Sequence, residues 1–339
     1  MGGPAHQRAA AGLVPPLPGL RRVRRERGDG RRLRARVPAL GPPRPAPRRA
    51  LRARPRELHR LRRAAAARAG PAAVTRSLAF ATDVALRTAE GSEAAPTGDA
   101  LVVRTPGNPA YRWGSFLLVP AAGDPAARVR EHAAAFPGAG FTTIGVDDAH
   151  PALDEGAWRS AGFEVERLAV LTSQGPAPVP ATGVRPLASD DDWAAVTAIA
   201  LELAEAPDEE HVEFTRRRTE DQRGLVERGR AVWLGVEVEG RVVATAGVAA
   251  ALPGVARFQD VQTAVAHRRR GHAGAVVAAG LRVAREALAC GTAVIVADRA
   301  GPAIGLYRRL GFREVETQLQ LSRVDAPDAR IGDAVGGSA

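Results

Sequence analysis

Apolar and polar positions fall into two successive series along most of this chain, each reading as strand, helix, strand, helix, strand. In the first, aliphatic and β-branched runs at 101–103 and 113–119 predict two strands, with the turn-forming PGNP at 106–109 between them. Asp124 is placed to cap a helix that has Pro125 at its first position and reaches about Phe136, where Pro137 and Gly138 end it. Residues 141–146 predict a short buried strand, 152–161 a helix closed by Gly162, and 163–171 a last strand.

The second series opens with a short strand at 184–187. Ser189 offers an N-cap, and Asp190, Asp191 and Asp192 fill the first helical turn, where the helix dipole favours negative charge. A charged helix at about 209–228 follows. The runs 232–238 and 241–248 flank Glu239-Gly240, a two-residue turn that predicts a hairpin. Pro253-Gly254 turns the chain into a central strand at 256–265, followed by a helix from Gly271 to about Leu288, a strand at 292–297, a helix at 302–310 stopped by Gly311, and a strand region at 312–323.

The two series end alike. GAWRSAGFEVERLAVLTS at 156–173 matches GLYRRLGFREVETQLQLS at 305–322 at a constant offset of 149 residues, which also carries Phe116 onto Val265 and Gly145 onto Val294. One fold used twice is the expectation.

Charge changes the picture of the first residues. The chain has a net charge of +11, but residues 1–73 hold twenty arginines against Glu26, Asp29 and Glu57, leaving 28 basic and 34 acidic residues in the remainder. The segment has no apolar period and cannot bury enough surface to fold alone, so it is expected to be disordered. It reads either as a phosphate-binding arm for nucleic acid or, preferably, as upstream bases of a high-GC genome translated ahead of a true start at Val74. The rest is mildly acidic, so no nucleic-acid partner is expected. Without a run of about eighteen apolar residues or a signal-peptide core, no membrane partner is expected either, and the expected compartment is the cytoplasm. The single cysteine, Cys290, excludes an internal disulfide and a cysteine-based zinc site and reads as a packed core residue; no metal is expected.

The candidate chemistry lies in QDVQTAVAHRRRGHAG, residues 259–274. A β-branched strand runs into an arginine cluster, and Gly271 opens a long helix. The first amides of a helix lack intrahelical partners and sit at the positive end of its dipole, which is a place for an anion such as phosphate. Arginines beside that positive end are unfavourable unless an anion joins them.

The segment 184–323 resembles the GNAT superfamily of acyl-CoA-dependent N-acyltransferases. The family's pyrophosphate loop, Q/R-x-x-G-x-G/A, is met by Arg268, Gly271 and Ala273 directly after a strand, and its tyrosine helix, L-Y-x-x-L-G-F, stands complete from Leu306 to Phe312. The resemblance implies a mixed, mostly antiparallel sheet flanked by helices, an α/β (α+β) fold in two tandem copies. It implies acetyl-CoA as co-substrate, with Val261, Gln262 and Thr263 beside its acetyl and pantetheine parts and Arg268, Arg269, Arg270, Gly271, His272, Ala273 and Gly274 around its pyrophosphate. His272 reads as a spacer in the loop. The implied reaction moves acetyl directly to a primary amine of a small molecule or peptide. Tyr307 matches the family's general acid. Asp260 is the first candidate for the base and Asp298 the second, with an arginine-paired strand-edge charge as the equal alternative for Asp260. The asparagine often found seven residues before the tyrosine is Ala300 here.

The first copy lacks the loop motif, reading PAAGDPAAR after Val119, and has Trp158 in the tyrosine's place. It is expected to bury the partner copy's open face or to help shape the substrate cleft. The expected organisation is a disordered segment at 1–73, a degenerate copy at 74–175, a linker at 176–183, the acetyltransferase copy at 184–325 and a disordered tail at 326–339, in a monomer or homodimer. Two other readings are a non-catalytic acyl-CoA-binding regulatory module and, more narrowly, a tandem enzyme like mycothiol synthase, for whose cysteinyl-sugar substrate no residue here selects.

Overall fold

The computed structural model describes residues 75–175, 183–204 and 206–324. The arginine-rich segment 1–73, all but the last residue of the expected linker and the tail after 325 lie outside them. The first half comprises α1 (Leu78–Glu90), β1 (Glu93–Thr97), β2 (Ala100–Arg104), β3 (Phe116–Val119), α2 (Pro125–Ala135), β4 (Phe141–Val146), α3 (Glu155–Ser160) and β5 (Glu164–Ser173). The second comprises β6 (Val184–Pro186), α4 (Asp190–Glu202), α5 (Glu209–Glu227), β7 (Ala231–Val238), β8 (Arg241–Leu252), β9 (Val255–Thr263), α6 (His272–Glu286), β10 (Thr292–Asp298), α7 (Ala303–Arg309) and β11 (Arg313–Val324).

Local signals placed most of these correctly. Asp124 caps α2 with Pro125 at its start. Ser189 and Asp192 form a reciprocal capping box on α4. Glu239 and Gly240 both have positive φ, 51° and 76°, the geometry of the tight turn that suits strand twist. The pattern missed α1 and β1. Ser77 caps α1 and Gly91, at φ 108°, closes it, so the punctuation was present, but the alanine-rich composition hid the apolar stripe.

Among the described residues, eleven strands form one sheet in the order β1-β2-β3-β4-β11-β5-β10-β9-β8-β7-β6. The pairs β3–β4 and β10–β9 are parallel and the others antiparallel. The last strands have changed places: β5 lies between β10 and β11, and β11 lies between β4 and β5. The 149-residue offset holds across this strand pair. Leu168 pairs with Gln318, and the residues one repeat away, Thr317 and Ala169, pair with each other, so a pseudo-two-fold axis passes between β5 and β11.

The offset of 149 does not extend to the strand before. Leu118 faces Gly145 in the first half, and Arg257 faces Val294 in the second, spacings of 27 and 37 residues. Phe116 therefore corresponds to Val255, not Val265, which falls beyond β9 in a short 3₁₀ turn at Val265–His267. The second half has ten more residues between its parallel strands.

One sheet face carries α6 and α7, whose Val277, Leu281, Ile304 and Tyr307 pack on Ala246, Val248 and Phe258. The other carries α1, α4 and α5, with Leu86, Trp193 and Leu225 around Trp233. The N-terminus of α1 sits near the pseudo-axis, where Glu316 of the second half accepts from the amides of Leu78 and Ala79, at 3.1 and 3.2 Å. Arg257 of β9 is buried against the same helix, donating to the Ala79 carbonyl and Thr82 hydroxyl and pairing with Asp83 at 3.1 Å.

Candidate active site

β9 and β10 are paired only from Val255–Thr292 to Arg257–Val294, after which they part. Beyond Arg257, β9 pairs with β8 alone, and its other edge faces a gap. Backbone groups on such an edge require a partner from elsewhere. In the first half the equivalent gap is closed: β3 stops at Val119, still paired with Val146, and the Asp147 amide bonds the Val119 carbonyl at 2.7 Å. Trp158, one repeat before Tyr307, is fully buried edge-on to Phe163.

A bulge interrupts β9 opposite Ala246, where the pairs Gly247–Gln259 and Thr245–Gln262 leave β9 one residue longer, and Asp260 adopts φ 42°. Its effect is to reverse the alternation of side chains. Ala256 and Phe258 point into the core beneath α6, whereas Asp260 and Gln262 line a cavity on the opposite face, against α4 and α5. Val261 packs against the α6 side. That cavity, about 280 Å³, has Val196, Ala200 and Leu203 on one wall and Thr219, Asp260 and Gln262 on another. Its size is at the low end for small-molecule sites.

Past Thr263, whose carbonyl accepts from Arg268 Nε at 3.4 Å, the chain reaches Arg269 and Gly271, both left-handed at φ 63° and 87°. The helix α6 follows, its first bond running from the Ala275 amide to the Gly271 carbonyl at 3.1 Å. The amides preceding Ala275 are those a helix start leaves without an intrahelical acceptor. A Cβ placed on Gly271 would meet nothing within 4 Å, so the space over the loop is open. Arg269 and Arg270 are exposed, and His267 and His272 face each other across the loop at 6.3 Å between rings. Ala273 and Gly274 begin the helix, and a Cβ on Gly274 would lie 3.4 Å from Leu306 of α7. Open space, free helix-start amides and three arginines fit the pyrophosphate of a coenzyme A.

Tyr307 is buried, and Phe312 stands between it and β9, with ring centroids 6.1 Å from Tyr307 and 5.9 Å from Phe258. Burial pushes its hydroxyl up to about 12, so it keeps its proton at neutral pH. Asp260 is different. Burial raises its pKa, but the Arg218 charge and the bonds from Gln222 and Arg218 outweigh this and hold the carboxyl below its ordinary range. Arg218 lies 3.3 Å away. The arginine-paired alternative is thus the geometry present, and a carboxylate held low is poorly matched to a base's task. Asp298 is exposed at the end of β10, accepting from the Ala300 amide at 2.9 Å.

Strand exchange also delivers a carboxylate that sequence order does not point to. Glu166 of β5 lies two residues from Leu168, the partner of Asp298, and burial together with Glu164 and Asp298 raises its pKa. Only the crossing of β5 into the second half brings it there. Among the described residues, no group of three or more His, Cys, Asp or Glu side chains is placed to hold a metal, and no helix is long and apolar enough to cross a membrane.

A parting parallel strand pair, a glycine turn into a helix and a tyrosine helix packed against it are consistent with the GNAT fold that the sequence resembles. Residues 193–312 match the model of a family described as "Acetyltransferase (GNAT) family". The chain is similar in fold to a GCN5-related N-acetyltransferase from Kribbella flavida, with 19% identity and a TM-score of 0.51 over 74% of this chain and 98% of that one. It is also similar to a conserved protein of unknown function from Staphylococcus epidermidis, with 10% identity and a TM-score of 0.57 over 70% and 95%. No curated protein sequence matches the chain.

Proposed function

We propose that the second half transfers acetyl from acetyl-CoA directly to a primary amine of a small molecule. The observation that carries this reading is the parting of β9 from β10 ahead of the Gly271 turn, because it puts an unpaired strand edge in line with a helix start whose first amides are left for an anion. The pantetheine amides pair with the β9 edge beyond the bulge, near Val261, Gln262 and Thr263. The pyrophosphate sits on the amides from Arg269 to Gly274, with Arg268, Arg269 and Arg270 meeting its charge. The amine, having given its ammonium proton to solvent, approaches from the cavity beneath α4 and α5 and attacks the thioester carbonyl; the C–S bond breaks, the leaving thiolate takes its proton from Tyr307, and the proton that the amine nitrogen sheds on becoming an amide returns through solvent to the tyrosine. Asp260, already committed to Arg218, shapes the polar floor of the cavity instead of removing the amine's proton.

Calorimetric titration of the full chain with acetyl-CoA, followed by a panel of small amines, tests this; no heat with acetyl-CoA would end the reading. A non-catalytic acyl-CoA-binding module is the second reading, favoured by the deep burial of Tyr307 in the core. Tyr307→Phe separates the two. An acid's loss lowers turnover by about 10²-fold or more while acetyl-CoA affinity is kept, whereas a non-catalytic module binds acetyl-CoA and shows no turnover of any panel amine with or without the tyrosine hydroxyl.

A further inference from the structure

The first half reaches into the second at one point close to the bulge. Between β2 and β3, the loop that includes Asn108 and Tyr111 lies along α5. Asn108 donates from Nδ2 to the Phe214 carbonyl at 3.1 Å, and Arg217 donates to the Gly107 carbonyl at 2.9 Å. Tyr111 is held between three groups. Its ring packs on Phe214 at 5.3 Å, Arg87 of α1 lies over it at 4.3 Å, and Arg218 lies 5.1 Å from its centroid while donating to its hydroxyl at 2.9 Å. The same guanidinium uses its other terminal nitrogen on Asp260, at 3.3 Å to each carboxylate oxygen. Arg218 is therefore a fork with one prong on each half.

That geometry matters because Arg218 and Asp260 line the cavity directly beneath the bulge. An arginine side chain left to itself samples many rotamers, and fixing it requires a second anchor. Tyr111 is that anchor, and it belongs to the half whose own strand gap is closed. We infer that Tyr111 is a positioning residue for the acceptor site of the opposite half, setting Arg218 against Asp260 so that the polar floor keeps one arrangement. The inference rests on the reading of this cavity as the acceptor site. The charged groups that bear on Asp260 are Arg218 and, farther off, Arg87, with Gln222 as the neutral donor.

The test uses the full chain with Tyr111→Phe, Arg218→Lys and the double variant. The first readout is the titration of the Asp260 carboxyl, followed by carbon NMR with labelled aspartate and needing no substrate. Tyr111→Phe frees one prong of Arg218, and the Asp260 titration moves upward by about half a pH unit or more. The double variant should move it no further than Arg218→Lys alone, since the tyrosine acts through the arginine. The second readout is kinetic, with the panel amine of highest turnover. For Tyr111→Phe the KM for that amine rises about tenfold, the size of a lost bond to a charged group, while kcat and the Kd for acetyl-CoA stay within about twofold.

An Asp260 titration unmoved by Tyr111→Phe, or effects of the two changes that simply add, would overturn the inference. So would a fall in thermal stability with the Asp260 titration unmoved, which is the signature of packing alone. If acetyl-CoA fails to bind the unaltered chain, the proposed reaction falls, yet the titration arm still decides whether Tyr111 sets Arg218.

Discussion

Arg257→Met should loosen the joint between the halves. Arg257 is 6% exposed and sits on β9 just before the strands part. It gives two hydrogen bonds to α1, to the Ala79 carbonyl at 3.1 Å and the Thr82 hydroxyl at 2.6 Å, and an ion pair to Asp83 at 3.1 Å. Methionine keeps the apolar stem but strands Asp83, whose carboxylate is left with the bond from Gln318 Nε2 at 2.7 Å. Removing one partner of a buried pair costs about 3–5 kcal/mol. The remaining glutamine and the methionine's own burial place the expected loss near the lower end, about 3 kcal/mol, or about 6–12 °C in Tm for a chain of this size. Asp83→Asn added to Arg257→Met should recover about half, because the uncompensated charge is gone. Urea unfolding and scanning calorimetry measure both. Because the last strands cross between halves, melting should remain a single transition. A loss below about 1 kcal/mol, no recovery in the double variant, or two resolved transitions would refute the account of how α1 is tied to β9.

Two further outcomes follow from groups already described. Burial, reinforced by Glu90, raises the Asp221 carboxyl to about 6; since the folded pKa lies above the ordinary value, the ionised form is disfavoured in the fold and stability from this group increases as pH falls from above 6 toward 4. Asp221→Asn should flatten that dependence and raise Tm at pH 8 relative to pH 5, measured by thermal denaturation across pH. Gly271→Ala forces a side chain into φ 87°, at a cost of about 1–2 kcal/mol, and puts a methyl group over the open cradle, so acetyl-CoA affinity by calorimetry should fall about tenfold or more while Tm drops only a few degrees.

The elements were legible wherever local chemistry decides them. Asp124-Pro125, Ser189 with its acidic turn, Glu239-Gly240 and the Leu306–Phe312 helix act within a few residues of themselves, so sequence order is enough. What escaped depends on distance. The exchange of β5 and β11 is a choice among edges that present the same backbone groups, and neither strand's pattern says which edge it joins. The bulge at Asp260 is likewise silent, because QDVQT alternates no differently with or without an added residue; only the register with β8 shows that Asp260 turns from the α6 core to the cavity. The pairing of Asp260 with Arg218 follows from that turn. Tyr111 carried no signal at all, since its partner stands 107 residues along the chain.

The crossing of β5 into the space between β10 and β11 bears on how such a chain could arise. A single half would present an open slot and a strand with nowhere of its own to lie, so two copies would complete each other by exchange, as domain-swapped dimers do. Joining them in one chain makes that exchange intramolecular, at the high effective concentration a short tether provides. Symmetry is then no longer enforced, because the two copies can change independently. One slot could close around Val119 and Trp158 at no cost to its neighbour, and a loop freed from its own chemistry could be turned to support the other's. An obligate pair of equal sites becomes one site with a built-in scaffold.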